Sequence, residues 1–169
     1  MEIFAVTPEN LGLDGIGALA KRVESMGYDG LFVADAIHDG LLLACQALAA
    51  TQRIRVATSV LIVFPRSPMN VALAAWDLQR ISGGRFELGL GTQIKQNIED
   101  RYSARWLPPA AGMKEYVGAL RAIFHSFRTR EPLNGNVSAA CWPFSSLPRL
   151  TGPAWNYSAG RISASNCSK

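Results

Sequence analysis

The stretch that decides the fold is residues 53–92, RIRVATSVLIVFPRSPMNVALAAWDLQRISGGRFELGLGT, whose pattern predicts a strand, a helix and a second strand. Residues 53–63 are apolar and β-branched almost throughout, which is typical of a strand buried on both faces of a parallel sheet. Ser67 and Pro68 suit the start of the helix, because serine caps free backbone N–H groups and proline needs no donor at the first helical position.

The helix is predicted to end at Ser82-Gly83-Gly84, because glycine adopts the left-handed conformation of a helix C-terminus without a steric penalty. Residues 85–91 then form the second strand, and the whole unit is predicted to be a right-handed β-α-β crossover. Parallel α/β folds bind ligands at the carboxyl ends of their strands, which here are residues 59–65 and 89–93.

The same alternation extends over the first 127 residues. Strands are predicted at residues 2–6, 30–34, 53–63 and 85–91, and helices at 14–26, 41–51, 68–81 and 109–127, with Asp14 as the cap of the first helix. Residues 93–109 are predicted to be a long loop with a short helix at 96–101. Strict alternation predicts a parallel sheet, either doubly wound or part of an eight-stranded barrel.

Composition narrows the class of protein. The chain has 169 residues, its longest apolar runs are too short to span a bilayer, and its N-terminus lacks the pattern of a secretory signal. The three cysteines are an odd number without metal-like spacing. We therefore expect one cytoplasmic domain with no membrane partner and no metal site.

The last 42 residues differ from the rest. Residues 1–127 contain 12 basic and 12 acidic residues, whereas residues 128–169 contain five basic residues against Glu131 alone, so the net charge of +4 arises in this tail. No basic stripe occurs before it, which argues against nucleic-acid binding. The sequence thus divides into an α/β domain at 1–127 and an irregular tail at 128–169. The tail is either a loop-rich extension packed on the domain or non-native sequence, such as the product of a frame shift.

Three segments carry a family resemblance: GYDGLFVAD at 27–35, RIRVATSVLIVFPRSPM at 53–69 and DLQRISGGRFELGLGTQ at 77–93. They resemble the luciferase-like monooxygenase superfamily, and within it the branch that uses the deazaflavin coenzyme F-420. The resemblance implies an eight-stranded (β/α) barrel, of which this chain supplies four strands, half a barrel with an irregular C-terminal tail. Because such a half-barrel has two open strand edges, we expect the chain to self-associate.

The resemblance also implies a cofactor site. Ser59 and Val60 correspond to a strand bulge with a non-proline cis peptide, which supports the middle ring of the flavin or deazaflavin; by sequence alone Ser59 is an ordinary strand residue. Asp35 corresponds to an aspartate that contacts the coenzyme, although a helix cap or loop carboxylate explains it equally. Some relatives follow it with a catalytic histidine, where this chain has Ala36; His38 lies nearby, in what is predicted to be a solvated loop.

The end of the fourth strand completes the predicted site. Gly91 allows close approach of the backbone, and Thr92 offers a hydroxyl to the ring or ribityl chain, although a plain turn needs no more than these residues. The loop cations Lys95, Arg101 and Arg105 are candidates for an anionic cofactor tail, but such cations are usually only solvated. Arg66 and Arg85 are predicted to be structural.

Two functions follow from these observations. The first is an oxidoreductase that uses coenzyme F-420, or FMN as the second candidate, for hydride transfer or monooxygenation on a small-molecule substrate. Its cofactor-binding residues would be Asp35, Ser59, Val60, Gly91 and Thr92, and no catalytic residue is assigned. The second is a truncated, inactive relative that acts as an assembly or binding module.

Overall fold

A computed structural model describes residues 1–8, 10–131 and 133 of the chain. Strands and helices alternate along this part as the sequence predicts. The elements are β1 (Phe4–Val6), α1 (Leu13–Ser25), β2 (Gly30–Val33), α2 (Gly40–Ala50), β3 (Arg55–Thr58), β4 (Leu61–Ile62), α3 (Pro68–Ile81), β5 (Phe86–Glu87), β6 (Leu90–Gly91), a π-helical turn (Asn97–Arg101) and α4 (Pro109–Thr129).

All the strand pairs are parallel. The lower sheet has the order β1-β2-β3-β5, and the short pair β4-β6 continues its last two strands. The two predicted strands at 53–63 and 85–91 are therefore each divided into two segments. Four consecutive βα units with this order form half of a (β/α) barrel, which confirms the predicted fold class.

Several predicted helix ends are confirmed. Pro68 lies at the start of α3, and Gly83 and Gly84 follow it with φ of +65° and +91°. Ser67 precedes α3, but its side chain makes no capping hydrogen bond. The predicted cap at Asp14 is wrong: α1 begins at Leu13, after Gly12, so Asp14 lies inside the first turn. A carboxylate there still interacts favourably with the helix dipole.

Two apolar clusters hold the helices to the sheet. The first fills the space between the lower sheet and helices α1 and α2, and includes Ile16, Leu31, Val33, Leu43 and Val56. The second lies under α3 and α4 near β4, and includes Leu61, Val63, Val71, Tyr116 and Leu120. Burial raises the pKa of the Tyr116 hydroxyl well above its usual range, although the charge of Arg66 opposes that shift. The second cluster thus packs α3 and α4 against β4, at the carboxyl end of the sheet, which we call its upper end.

The C-terminal part of the structure ends shortly after α4. This helix runs two residues beyond its predicted end at 127, and Arg130 follows it with φ of +63°. Residues 134–169, which make up most of the predicted irregular tail and include Cys141 and Cys167, lie outside the described residues. The proposed frame-shift origin of the tail stays a prediction. Among the described helices, none combines the length and apolarity needed to cross a membrane.

Candidate cofactor site at the carboxyl ends of the strands

One extra residue interrupts the strand that comprises β3 and β4. Below the interruption Val56 pairs with Phe86 and Ala57 with Glu87, whereas above it Leu61 pairs with Leu90. The chain takes four steps from Ala57 to Leu61 but only three from Glu87 to Leu90. This count defines a one-residue β-bulge, which redirects the side chains that follow it.

The bulge contains the two residues that the resemblance singles out. The peptide bond between Ser59 and Val60 is cis, as the resemblance implied. Ser59 donates its N–H to the Val33 carbonyl at 2.7 Å, so the bulge is tied to β2. Both residues are exposed, with Val60 44% exposed. They therefore present a hydroxyl and an apolar side chain to the rim.

Two glycines in the neighbouring strand make room for the bulge. A Cβ at Gly89 would lie 2.1 Å from the Thr58 carbonyl oxygen, and a Cβ at Gly91 would lie 2.3 Å from a Val60 methyl carbon. The Thr58 hydroxyl donates to the Gly89 carbonyl at 2.8 Å and accepts from the Gly89 N–H at 2.9 Å. Glycine is required at both positions because any side chain would collide with the bulged strand.

Asp35 lies at the end of β2, where its carboxylate joins three elements. It accepts hydrogen bonds from the Gly40 N–H at 3.0 Å, from the Ile62 N–H at 2.9 Å and from the Arg66 guanidinium at 3.1 and 3.2 Å. Its side chain is only 3% exposed. The carboxylate thus holds β4 in place beside β2 and the start of α2, which is close to the structural alternative considered for it.

Arg66 connects this carboxylate to a second one. Its guanidinium also donates to Asp39 at 2.9 Å, and Asp39 caps α2 by accepting from the Leu41 and Leu42 N–H groups. Burial acts to raise the pKa of Asp39, but the hydrogen bond and charge of Arg66 and the two capping N–H groups outweigh burial, so the pKa is lowered. Burial acts to lower the pKa of Arg66, but the charges and hydrogen bonds of the two carboxylates outweigh burial, so this pKa is raised. The predicted structural role of Arg66 is confirmed.

Thr92 and Gln93 follow β6 at the rim. The half-buried Thr92 hydroxyl donates to the Gln93 carbonyl at 3.2 Å, and Gln93 has a left-handed backbone with φ of +62°. The Gln93 side-chain carbonyl accepts from the Ile94 N–H at 2.9 Å, which supports this conformation. A left-handed non-glycine residue is uncommon and occurs often at functional sites.

The structure brings most of the predicted site residues together. Val60 contacts Gly91, Ser59 and Thr92 are their chain neighbours, and Asp35 reaches the same strand pair through Ile62. Their contact with a cofactor stays a prediction.

Other candidates have local partners. His38 lies half-buried near Gly12. Arg101 donates to the Ala36 carbonyl and stacks on Tyr102, and the ammonium of Lys95 lies 4.0 Å from Glu99. Arg85 donates to the carbonyls of Leu48, Thr51, Ile54 and Ser82, so its predicted structural role is confirmed.

Sequence reasoning missed Thr58 and Gly89, which lock the bulge from both strands. The available signal was the Gly-Leu-Gly alternation at 89–91, because two glycines two positions apart in a strand lie on the same face and mark close backbone approach. Within residues 1–8, 10–131 and 133, no group of three or more His, Cys, Asp or Glu side chains could hold a metal ion.

Comparison with known proteins adds family information. Residues 3–161 match the model of the family described as luciferase-like monooxygenase. The match continues past residue 127, where the predicted α/β domain ends.

Three relatives are similar in sequence. An uncharacterized protein of Mycobacterium tuberculosis is 47% identical over 105 residues, which are 62% of this chain and 31% of the relative. Another protein of that species, named provisionally as a coenzyme F-420-dependent oxidoreductase, is 36% identical over 63% of this chain and 31% of its own. The 5,10-methylenetetrahydromethanopterin reductase of Methanolobus tindarius is 30% identical over 64% of this chain and 33% of its own. The chain thus spans about a third of the length of these relatives.

Solved structures share the fold. The oxygenating constituent of 3,6-diketocamphane monooxygenase from Pseudomonas putida, in complex with FMN, has a TM-score of 0.64 and 19% identity, over 78% of this chain and 41% of that one. The F-420-dependent tetrahydromethanopterin reductase of Methanopyrus kandleri has a TM-score of 0.60 and 18% identity, over 70% and 39%. At these identities the likeness supports the fold alone.

Proposed function

The chain belongs to the luciferase-like monooxygenase family, and on that basis we propose that it binds a deazaflavin or flavin at the rim of its half-barrel. Coenzyme F-420 is the first candidate and FMN the second. The proposed reaction is hydride transfer between the bound cofactor and a small-molecule substrate. The proposed cofactor-binding residues are Ser59, Val60, Gly91 and Thr92, with Asp35 behind them.

The contact between Val60 and Gly91 carries this proposal. It joins the bulge of one strand to the end of the next, at the carboxyl edge where parallel α/β folds bind ligands. A side chain at Gly91 would need the space that Val60 occupies, since its Cβ would lie 2.3 Å from a Val60 methyl carbon. The absence of a side chain at Gly91 therefore leaves Val60 its place at the rim, where Val60 is 44% exposed.

The residues at the rim fit a planar ring with a polar side chain. Val60 would supply an apolar surface, and the hydroxyls of Ser59 and Thr92 would supply polar contacts. Asp35 acts through Ile62 as a positioning residue, because its carboxylate is buried and already accepts four hydrogen bonds. The bound cofactor would supply the hydride chemistry, and the protein its position and surroundings.

The choice of F-420 over FMN rests on the names of relatives. At 36% identity, one relative is named provisionally as F-420-dependent, whereas FMN is named in a structure only 19% identical. A deazaflavin transfers hydride in two-electron steps, and FMN would also permit monooxygenation.

A second function is favoured by one residue at the rim. Ala36 stands where the resemblance implies a catalytic histidine in some relatives. The alternative is an inactive relative that serves as an assembly or binding module.

Fluorescence titration of the purified chain with F-420 and with FMN tests the proposal. We expect saturable binding, tighter for F-420 than for FMN, and weaker binding in Thr92→Val, which removes one hydroxyl at nearly constant volume. Thr129→Val is the matched control, since Thr129 lies at the far end of α4. Absence of a signal with either cofactor would contradict the proposal and support the inactive module.

A further inference from the structure

The sheet has one face that its own helices do not cover. Ala5, Leu31, Val33, Val56 and Phe86 belong to the cluster beneath α1 and α2. Because strand residues alternate between faces, the residues between them lie on the opposite side, which we call the inner face. Those residues are Phe4, Val6, Phe32, Arg55, Ala57 and Glu87.

The inner face combines apolar and charged side chains. The rings of Phe4 and Phe32 stack at 4.6 Å, and the Arg55 guanidinium lies 5.0 Å from the Phe4 ring centre. Arg55 also pairs with Glu87 at 2.8 Å. Val6 is 68% exposed beside this group. In a closed barrel the inward side chains form a packed interior, so this surface corresponds to half of one.

The sheet also ends in two different edges. In the described part of the chain, β1 pairs with β2 alone, and the β5-β6 strand pairs with the β3-β4 strand alone. The Thr7 N–H donates to the Phe32 carbonyl at 3.0 Å, so the neighbouring N–H group, that of Val6, is directed toward the open side of β1. Unpaired parallel edges of this kind pair readily with other strands.

A second copy of the chain matches what this surface lacks. The described βα units lie within residues 4–129 and provide four of the eight strands of a (β/α) barrel. A second copy supplies four further parallel strands, together with an inner face and two strand edges of the same kind.

We propose that two copies of the 169-residue chain close one eight-stranded barrel around a two-fold axis that coincides with the barrel axis. Rotation by half a turn keeps every strand parallel and places β1 of each copy beside the β5-β6 strand of the other. Both edges are then paired, and the two inner faces cover each other as one interior. The proposal goes beyond cofactor binding and does not depend on it.

Light scattering coupled to gel filtration over a concentration series tests the assembly without any cofactor. The expected mass is twice that of the chain. A monomer at every concentration, or a species larger than two chains, would overturn the closed barrel whatever the cofactor titration shows. A dimer that binds neither cofactor would leave the barrel proposal standing and refute only the proposed function.

Two charge substitutions locate the interface. Val6→Glu is expected to raise the dimer dissociation constant by more than about tenfold, because it places an unpaired carboxylate in the closed interior. Ile81→Glu is the matched control, since Ile81 is 65% exposed on α3, away from the inner face, against 68% for Val6. Dissociation by Ile81→Glu but not by Val6→Glu would overturn the proposal.

Hydrogen exchange on the unsubstituted chain gives an independent measurement, which remains valid if Val6→Glu does not fold. The Val6 amide is expected to exchange more slowly at dimer concentrations than after dilution to monomer. Equal exchange rates under the two conditions would overturn the proposed pairing of β1.

Discussion

The two faces of the same sheet differ in how completely this chain buries them. On the helix-covered face, Leu31, Val33 and Val56 are all 0% exposed. On the inner face, Val6 is 68% exposed and the Arg55 side chain 34%. Both faces belong to the same short strands. The difference lies in which covering elements the described part of the chain contains.

The ion pairs follow the same division. At the upper end of the sheet, Arg66 pairs with Asp35, whose side chain is 3% exposed. On the inner face, Arg55 pairs with Glu2 and Glu87, which are 66% and 44% exposed. Exposed pairs contribute little to stability and are screened by salt, whereas a buried carboxylate needs its partners. The described part of the chain thus covers the outer face with helices and leaves much of the inner face exposed.

The largest expected effect tests this contrast directly. Leu31→Ala should lower the free energy of unfolding by about 2–5 kcal/mol, because it leaves a cavity in the cluster beneath α1 and α2. The measurement is urea unfolding followed by circular dichroism, at a chain concentration low enough to keep the protein monomeric.

Val6→Ala is the matched substitution on the inner face. In the monomer it should change the free energy of unfolding by no more than about 0.5 kcal/mol, as is usual for exposed sites. Equal losses in the two variants would mean that the inner face is already covered within one chain, and the contrast between the faces would be lost.

Most of the fold could be predicted from sequence because its signals are local. Three signals act through backbone preferences within a few residues: the β-branched run at 53–63, Pro68 and the glycines at 83–84. The structure confirms the strand region, the start of α3 and the end of α3 that they predict. The error at Asp14 has the same origin. Capping depends on where the helix begins, and the observed cap, Gly12, lies two residues before the predicted cap, Asp14.

The details of the site depended on contacts between distant residues, which one sequence does not reveal. The family resemblance placed a bulge at Ser59 and Val60, whereas the residues alone did not, because the register difference that defines it is between two strands about 30 residues apart. Asp35 follows β2 directly, and its bonds to Ile62 and Arg66 join residues 27 and 31 positions away. Its buried, fully bonded carboxylate could not be foreseen from the strand that precedes it.

A smaller loss of stability is expected at the bulge, where side chains no longer alternate regularly between the two faces of the sheet. Gly89→Ala should lower the free energy of unfolding by about 1–3 kcal/mol, because its methyl group would lie 2.1 Å from the Thr58 carbonyl oxygen and the backbone must shift. Gly118→Ala is the control. Gly118 lies in α4 with nothing within 4 Å of an added Cβ, so alanine there should stabilise the protein by about 0.5–1 kcal/mol. Thermal unfolding of the two variants compares them, and similar shifts in the same direction would argue against a tightly packed bulge.

The smallest expected effect concerns the carboxylates at the upper end of the sheet. Burial acts to raise the pKa of Asp39, but the hydrogen bond and charge of Arg66, together with the N–H groups of Leu41 and Leu42, hold it below its ordinary value of 3.8. A pKa that is lower in the folded than in the unfolded state stabilises the folded protein above the unfolded value, and this contribution is lost as the pH falls through 3.8 and below.

Asp39→Asn keeps a side-chain oxygen to cap α2 but removes the charge, so it should reduce the loss of stability between pH 5 and pH 3. Asp77→Asn, on the exposed side of α3, removes the same charge elsewhere and is the reference for the change in net charge. Urea unfolding across this pH range measures both variants against the unsubstituted chain. If Asp39→Asn and Asp77→Asn show the same dependence on pH, the pairing with Arg66 does not contribute to acid stability. The contrast with the exposed pairs of Arg55 would then rest on burial alone.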